Sequence, residues 1–528
     1  MDLVHHFPVF APCIYSGLFY GLLAAVYAGA SPAACPSSFS QSNQFVAYPG
    51  PPGEARSQSY SLTVNGQPVF VTKFKDISYA HFAFSGTAEV VVRAGASIVN
   101  FSISPKSRGI QAVKSGSDLS FALRQPEKLI VTIDKLEKLF IFADPPEVDP
   151  PRPRQAGVID IRDYGVDQTG ATVDTAKIQK AIDVTASQNG GTGGVLYFPA
   201  GKYLTGTIEM RSNVTVYLAP GALLQGSSNP ADYPVDPGFS ESGINGETMT
   251  FSRLIYFDHV VKARIIGRGT IDGNGKTVRR AGRAANLIRM KQSSDIAIED
   301  VVLRDSAAWN LHPLYCDNVA IRNIKMMNDL TNPNTDGVDP DSSHHVTIDG
   351  CFFYCSDDCI ANKTTNNSNL LRDCEDITVR DCVFWTIKTA QKIGTETKGW
   401  YMRRIRFENN DVVHADRAYY LTIQDGAIAE DNSCADIRTE VIGGDSQQRI
   451  FLMEIKKRGG SGLIRGITFT NWSSEDFSPN NSALLGLDSE HQISNVAFVN
   501  LVIAGQKRAG LNEARICANN YVNNVTFK

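Results

Sequence analysis

A six-residue pattern that returns once every 23 to 31 residues constrains this chain more than any other feature. Asp295-Ile-Ala-Ile-Glu-Asp, Asn318-Val-Ala-Ile-Arg-Asn, His345-Val-Thr-Ile-Asp-Gly, Asp376-Ile-Thr-Val-Arg-Asp and Arg404-Ile-Arg-Phe-Glu-Asn share one order: polar, apolar, any, apolar, polar, small or polar. Apolar residues two apart mark a strand. The first apolar positions, Ile296, Val319, Val346, Ile377 and Ile405, are 23, 27, 31 and 28 residues apart. A repeat of that length, made of short strands and turns, is what one coil of a β-solenoid requires. Stacked copies would bury the apolar positions in a continuous core and build long parallel sheets. The competing arrangement is an ordinary β-sandwich whose spacing is coincidental.

The rest of the chain fits around this array. Residues 36–145 carry short alternating runs, among them Ala88-Glu-Val-Val-Val-Arg and Lys128-Leu-Ile-Val-Thr-Ile, separated by Gly, Ser and Pro turns. That is the pattern of a small antiparallel sandwich. Residues 146–157, rich in proline and charge, read as a stiff linker. The β-solenoid is expected over 158–528, with one helix from Thr175, where Ile178, Ala181 and Ile182 fall at helical spacing behind Asp174 or Thr175 as N-cap. The expected fold is therefore all-β: a parallel β-helix preceded by an N-terminal β-sandwich.

Residues 1–30 join an apolar run to Ala28-Gly-Ala, the small-x-small form of a signal-peptidase site. The run is shorter than the roughly 20 residues that a membrane-spanning helix needs. This predicts a secreted, extracellular protein, free of the membrane once the leader is cleaved. Seven Asn-x-Ser/Thr sequons (Asn100, Asn213, Asn362, Asn366, Asn471, Asn480, Asn524) fit a secreted glycoprotein. Ten cysteines, five of them between Cys351 and Cys382, suit an oxidising compartment, as disulfides or as buried thiols. A net charge of -4, from 51 basic and 55 acidic residues, leaves no footprint for nucleic acid. No cofactor motif is visible, and a monomer is the default for a capped solenoid.

One segment of the repeat region does not read as solvated loop. Asn334-Thr-Asp-Gly-Val-Asp339 is followed after one strand by Cys355-Ser-Asp-Asp-Cys359, so Asp336 and Asp357 lie 21 residues, just under one coil, apart. Carboxylates on neighbouring coils then stand side by side on one face. Crowded and partly desolvated, they should have their pKa values pushed apart, leaving one protonated while others stay ionised. Glycosidic hydrolysis needs that division: an acid for the leaving oxygen and a base for water.

The run Asp163-Tyr-Gly-Val-Asp, the helix with Ile178-Gln-Lys-Ala-Ile, Tyr197-Phe-Pro-Ala-Gly-Lys-Tyr and Gly221-Ala-Leu-Leu-Gln-Gly resemble the opening of the pectin-lyase-like right-handed β-helix enzymes. The Asn334-Thr-Asp-Gly and Asp357-Asp-Cys-Ile-Ala motifs resemble those of glycoside hydrolase family 28, the polygalacturonases and rhamnogalacturonases. The resemblance covers roughly 158–500. It implies inverting hydrolysis of a polysaccharide, with Asp357 as the acid and Asp336 and Asp358 activating water, and no metal. Two departures matter. Aligned on Ile393-Gly394, the chain has Thr389-Ala390 where the family carries His-Gly, and Tyr419-Tyr-Leu-Thr-Ile where it carries Arg-Ile-Lys-Thr-Ile. The cations that pair with a uronate are missing from the expected places.

Lys392, Glu396, His312 and Tyr419 are the expected substrate-binding residues. His414, Asp416 and Arg417 could also line the cleft, and Tyr420 and Trp385 could offer sugar-stacking faces. Asp339, 18 residues before Asp357, ranks below the three aspartates. A pectin-type substrate is favoured. The sandwich also resembles that of family 49, the dextranases and isopullulanases, which keeps an α-glucan open. A Ca²⁺-dependent β-helix lyase, with Lys363 or Lys392 as its base, and a non-enzymatic glycan-binding solenoid are the other readings.

Overall fold

The computed structural model describes residues 44–235, 240–242, 248–365 and 370–528. The export segment at 1–30 and the sequon at Asn366 lie outside them. From Ser42 onward the chain forms one compact unit.

The repeats stack in register as coils of a right-handed parallel β-helix. Ile296 pairs with Val319, Val319 with Val346, Val346 with Ile377 and Ile377 with Ile405. Their side chains fill the interior. The polar residue that opens each repeat has positive φ (Asp295, Asn318, His345, Asp376, Arg404), as does the one that closes it (Asp300, Asn323, Gly350, Asp381, Asn409). Asn, Asp and Gly tolerate this left-handed turn best, which explains the small or polar closing position. These residues also bond from coil to coil: the Asn323 amide donates to Asp300 and that of Asn409 to Asp381. Aromatic rings continue the stack inside, with Phe469, Phe498 and Phe527 about 5.0 Å apart in sequence.

The helix has three faces. One runs from Val158–Asp160 to Val522–Phe527, and a second from Thr169–Val173 to Gln506–Lys507. The third is interrupted. Its first stretch ends at Leu311–Leu314 and its second begins at Ile360–Thr364. Between them, single bridges link Leu311 to Val338 and Val338 to Ile360, and Leu314 to Asp341 and Asp341 to Lys363. Regular pairing thus lapses at the coil that carries the Asn-Thr-Asp-Gly motif. Thr175–Gly191 is helical and packs against the first coils, and a six-residue helix, Gly275–Arg280, is added to the one expected.

Residues 45–144 form two sheets around a core of their own. Most pairs are antiparallel, but Lys138–Asp144 runs parallel to Ile77–Phe84. Both of these strands are buried on each side. In Lys138–Asp144, Leu139, Ile141 and Ala143 face the sandwich core, while Phe140 and Phe142 pack on Phe352 and Tyr354 of the helix.

Two expectations need correction. The eight described cysteines, Cys316, Cys351, Cys355, Cys359, Cys374, Cys382, Cys434 and Cys517, are free thiols, and all but Cys517 are buried. Cys351 and Cys382 occupy equivalent sites on adjacent coils, with the Cys351 N–H donating to Cys382 Sγ at 3.4 Å. Coils about 4.8 Å apart hold such side chains parallel, whereas a disulfide needs Cβ atoms about 3.8 Å apart and facing. Asn362 is no glycosylation site in this fold, because it is fully buried and its amide donates to the Lys392 carbonyl.

Candidate active site

The two aspartate motifs are clamped together before their carboxylates meet. The hydroxyls of Thr335 and Ser356 are 2.7 Å apart, and the Ser356 N–H donates to Thr335 Oγ1. Asn334, at positive φ, accepts from the Arg279 guanidinium at 2.9 Å. Gly337 must be glycine, since a Cβ there would lie 2.3 Å from the Cys359 carbonyl oxygen. Its own N–H donates to the Asp358 carbonyl, stitching the coils at the site.

This brings oxygens of Asp336, Asp357 and Asp358 within 4.8 Å of one another. Asp336 and Asp358 are buried, and Asp357 reaches the surface. The three protonate differently. Burial, then the neighbouring charges of Asp357 and Asp339, holds the Asp336 carboxyl well above the usual range. Burial and the adjoining Asp358 charge push Asp357 up as well. Burial would also raise Asp358, but Lys392, Arg417 and Lys363 overcome it and bring its carboxyl down to about 2. Lys392 Nζ is 2.5 Å from Asp358 Oδ2, and the Thr389 N–H donates to Oδ1 at 3.0 Å. The group therefore offers a proton on a carboxyl that reaches the surface beside an ionised one.

Around it the expected residues divide. Lys392 is brought to the cluster. Glu396 is not: it pairs with Lys363 at 3.0 Å and lies 3.7 Å from Arg458, with its carboxyl held down to about 2 against burial by Lys363 and Lys392. His312 is fully buried rather than open to a ligand, with Nε2 3.2 Å from Asp341 Oδ2 and the ring edge-on to Trp309. Burial lowers its pKa to about 4, so it is neutral. The expectation for Tyr419 is overturned. Strand alternation turns it into the core against Phe407 and Phe469, and Leu421 turns in as well. The outward residue is Tyr420, with Lys392 and Arg417 over its ring and its hydroxyl donating to Glu454. Trp385 is covered by Lys138 and stacked on His414.

Asp339, ranked low in sequence, is fully buried, with neither carboxyl oxygen hydrogen-bonded and Lys363 Nζ at 3.6 Å. Burial, with Asp358 beside it, lifts its pKa well above the usual range against the pull of Lys363. Its place follows from the bridge between Val338 and Ile360, which sets Asp339 beside Ala361. Only the irregular pairing of this coil fixes that register, and spacing alone does not reveal it.

Residues 198–372 match the family model described as glycosyl hydrolases family 28. The chain is 32% identical over 212 residues to a probable polygalacturonase of Vitis vinifera, an overlap of 38% of this chain and 43% of that protein. It thus spans less than half the length of that relative. Among solved structures, Dex49A from Penicillium minioluteum aligns with a TM-score of 0.61 at 13% identity, over 92% of this chain and 96% of that one. A hyperthermoactive exopolygalacturonase from Thermotoga maritima aligns with a TM-score of 0.55 at 20% identity, over 72% and 93%. At these identities the structural likenesses speak for the fold. The chain is glycoside hydrolase family 28-like through the coils that carry its three clustered aspartates, on a right-handed parallel β-helix that it shares with an exopolygalacturonase and with Dex49A.

Proposed function

We propose that this protein is a secreted glycoside hydrolase that cleaves a pectin-type polysaccharide, a substituted galacturonan or rhamnogalacturonan, with inversion. One observation carries the reading: a partly buried carboxyl with a raised pKa, Asp357, stands within 4.8 Å of an ionised one, Asp358. Asp357 donates its proton to the leaving glycosidic oxygen. Asp358, kept ionised by Lys392, takes the proton of the water that attacks the anomeric carbon, and the neighbouring Asp336 carboxyl holds that water in place by hydrogen bonding. Sequence similarity to a polygalacturonase and the match to the family model support the substrate class. The apolar run ahead of Ala28-Gly-Ala supports export.

The spacing puts inversion to a sharp test. Paired carboxyls in inverting enzymes are usually about 6.5–9.5 Å apart, and in retaining ones about 5–5.5 Å. Here one oxygen of each of the three carboxyls lies within 4.8 Å of the others, which leaves no wide gap between them. Inversion therefore requires the water to sit on the Asp336 and Asp358 oxygens at the edge of the cluster, not in a gap between acid and base.

An α-glucan is the second reading, favoured by the whole-chain fold likeness to Dex49A. A lyase needs a cation on the three carboxylates. Lys392 already occupies one of them with its own positive charge.

The test is reducing-sugar release and product anomer on pectins, rhamnogalacturonan, xylogalacturonan, dextran and pullulan, for wild type and Asp357→Asn. An inverted product from a pectic polymer, lost in the variant, supports the proposal. A retained anomer refutes the water-activating roles. Chelator-sensitive release of an ultraviolet-absorbing unsaturated product would favour the lyase instead.

A further inference from the structure

Of the six sequons within the described residues, five have an amide that the fold already uses. Those of Asn471 and Asn524 donate to Asp436 and Asn495 on the preceding coil, that of Asn480 to the Gln447 carbonyl and that of Asn213 to the Gly191 carbonyl. Asn362 is buried. A glycan replaces one hydrogen on this nitrogen and is bulky, so it needs open space beside it. The hydroxyl two residues on is part of the acceptor as well. Ser482, which closes the Asn480 sequon, is buried and accepts from the Phe451 N–H.

Asn100, in Asn100-Phe-Ser, differs on each count. It stands on the sandwich, directly ahead of the strand Phe101–Ser104. Asp134 holds its backbone from both sides: Oδ1 accepts the Asn100 N–H at 2.7 Å, and the Asp134 N–H donates to the Asn100 carbonyl at 3.0 Å. The side-chain amide makes no hydrogen bond among the described residues, and Asn100 and Ser102 are both exposed.

Beside this amide lies an open groove of about 810 Å³, walled by Ala94, Ala96, Val99 and Leu136, with Asn100 itself in the lining. Val99 is 65% exposed and Leu136 36%. Apolar side chains exposed together, rather than singly, mark a surface that something covers. A pyranose fits the mixture of walls, its C–H face against Val99 and Leu136 and its hydroxyls toward the polar rim at Gln58 and Lys135.

We propose that Asn100 carries an N-linked glycan whose first sugars lie in this groove and cover Val99 and Leu136. The site belongs to the sandwich rather than to the cleft, and it rests on the export half of the proposed function, not on the hydrolase half.

The experiment expresses the full chain in a yeast, once with its own residues 1–30 and once with a foreign leader ahead of Ser31, and maps the glycopeptides by mass spectrometry. Asn100 should be occupied on most secreted molecules, and Asn100→Gln should lose the mass of one glycan. Contacts in the groove must open before an enzyme reaches the linkage, so peptide-N-glycosidase should release the Asn100 glycan at least about tenfold more slowly from folded than from denatured protein. Leu136→Asp, which removes an apolar wall, should abolish that protection and leave occupancy intact. In Asn100→Gln the uncovered groove should bind a hydrophobic dye that the glycosylated protein does not. Unchanged melting temperatures establish that both variants fold. The proposal is overturned if Asn100 is empty on secreted protein, or if Leu136→Asp protects the glycan as well as wild type does. Secretion behind the foreign leader alone would sink the export reading, and occupancy of Asn100 in that sample would still decide the site.

Discussion

At the seam between sandwich and helix, Asp144 is fully buried and surrounded by donors. His81 Nε2 and Arg268 Nη1 approach its Oδ2 at 2.7 Å, Lys325 Nζ reaches the same oxygen, and Asn323 donates to Oδ1. In the cleft, Asp336 is almost as buried, yet its Oδ1 has no hydrogen-bond partner, and Asp339 beside it has none on either oxygen. Burial raises both kinds of carboxyl. At the seam Lys325, His81 and Arg268 overcome it and hold Asp144 well below the usual range; in the cleft neighbouring carboxylates add to it. Buried charge that joins two parts of a fold is satisfied, because leaving it unpaired would cost several kcal/mol. Buried charge left short of partners marks where the fold gives up stability for chemistry.

The contrast can be broken by substitution. The largest effect belongs to Asp357→Asn, which should lower kcat by about 10²–10⁴-fold, the usual contribution of a general acid, with the melting temperature unchanged or raised. Asp144→Asn should do the opposite: cost about 3–5 kcal/mol in urea unfolding, because it strands Lys325 and Arg268 without their counter-charge, and leave kcat of the remaining folded protein near wild type. Lys392→Met removes the ammonium that keeps Asp358 ionised. The Asp358 pKa then rises, so the acidic limb of the pH–rate profile moves to higher pH. A profile that does not move would show that Asp358 is not the base.

The smallest effect is one of sign with pH. Burial lowers His81 to about 4, whereas an unfolded histidine titrates near about 6.5. Between those values the unfolded chain binds a proton that the folded one refuses, so stability falls as pH drops through that window. Asp336 and Asp339 run the other way. Their folded pKa values are raised, so above the ordinary carboxylate range they keep protons that the unfolded chain releases, and they cost stability as pH rises. Urea midpoints from pH 4 to 7 should therefore climb more steeply with pH in Asp336→Asn than in wild type. Parallel curves would mean that Asp336 is ionised and satisfied.

How much of this was legible in the sequence follows the same division. The coil register could be read because each repeat needs apolar residues two apart and a turn residue that accepts positive φ, and both are local requirements. The aspartate cluster could be read because its spacing matches one coil. Tyr419 could not be placed, since the strand from Arg417 to Ile423 is apolar on both sides and its facing is fixed only by pairing with its neighbours. Asp339 was undervalued for a related reason: single bridges, not a regular strand, set it beside Ala361. The cysteines between Cys351 and Cys382 could be read either as disulfides or as buried thiols, because sequence shows their crowding but not their parallel stacking. The docking of the sandwich was hidden too, although the unbroken apolar run Leu139-Phe-Ile-Phe-Ala143 is the mark of a strand buried on both faces.

The most direct test is to measure stability and turnover together in Asp336→Asn. A carboxyl buried for chemistry and left without a partner predicts a gain of about 1 kcal/mol in unfolding free energy with a loss of at least about 10²-fold in kcat. A variant that is destabilised as Asp144→Asn should be, while still turning over within a few-fold of wild type, would contradict the account and make Asp336 one more structural charge.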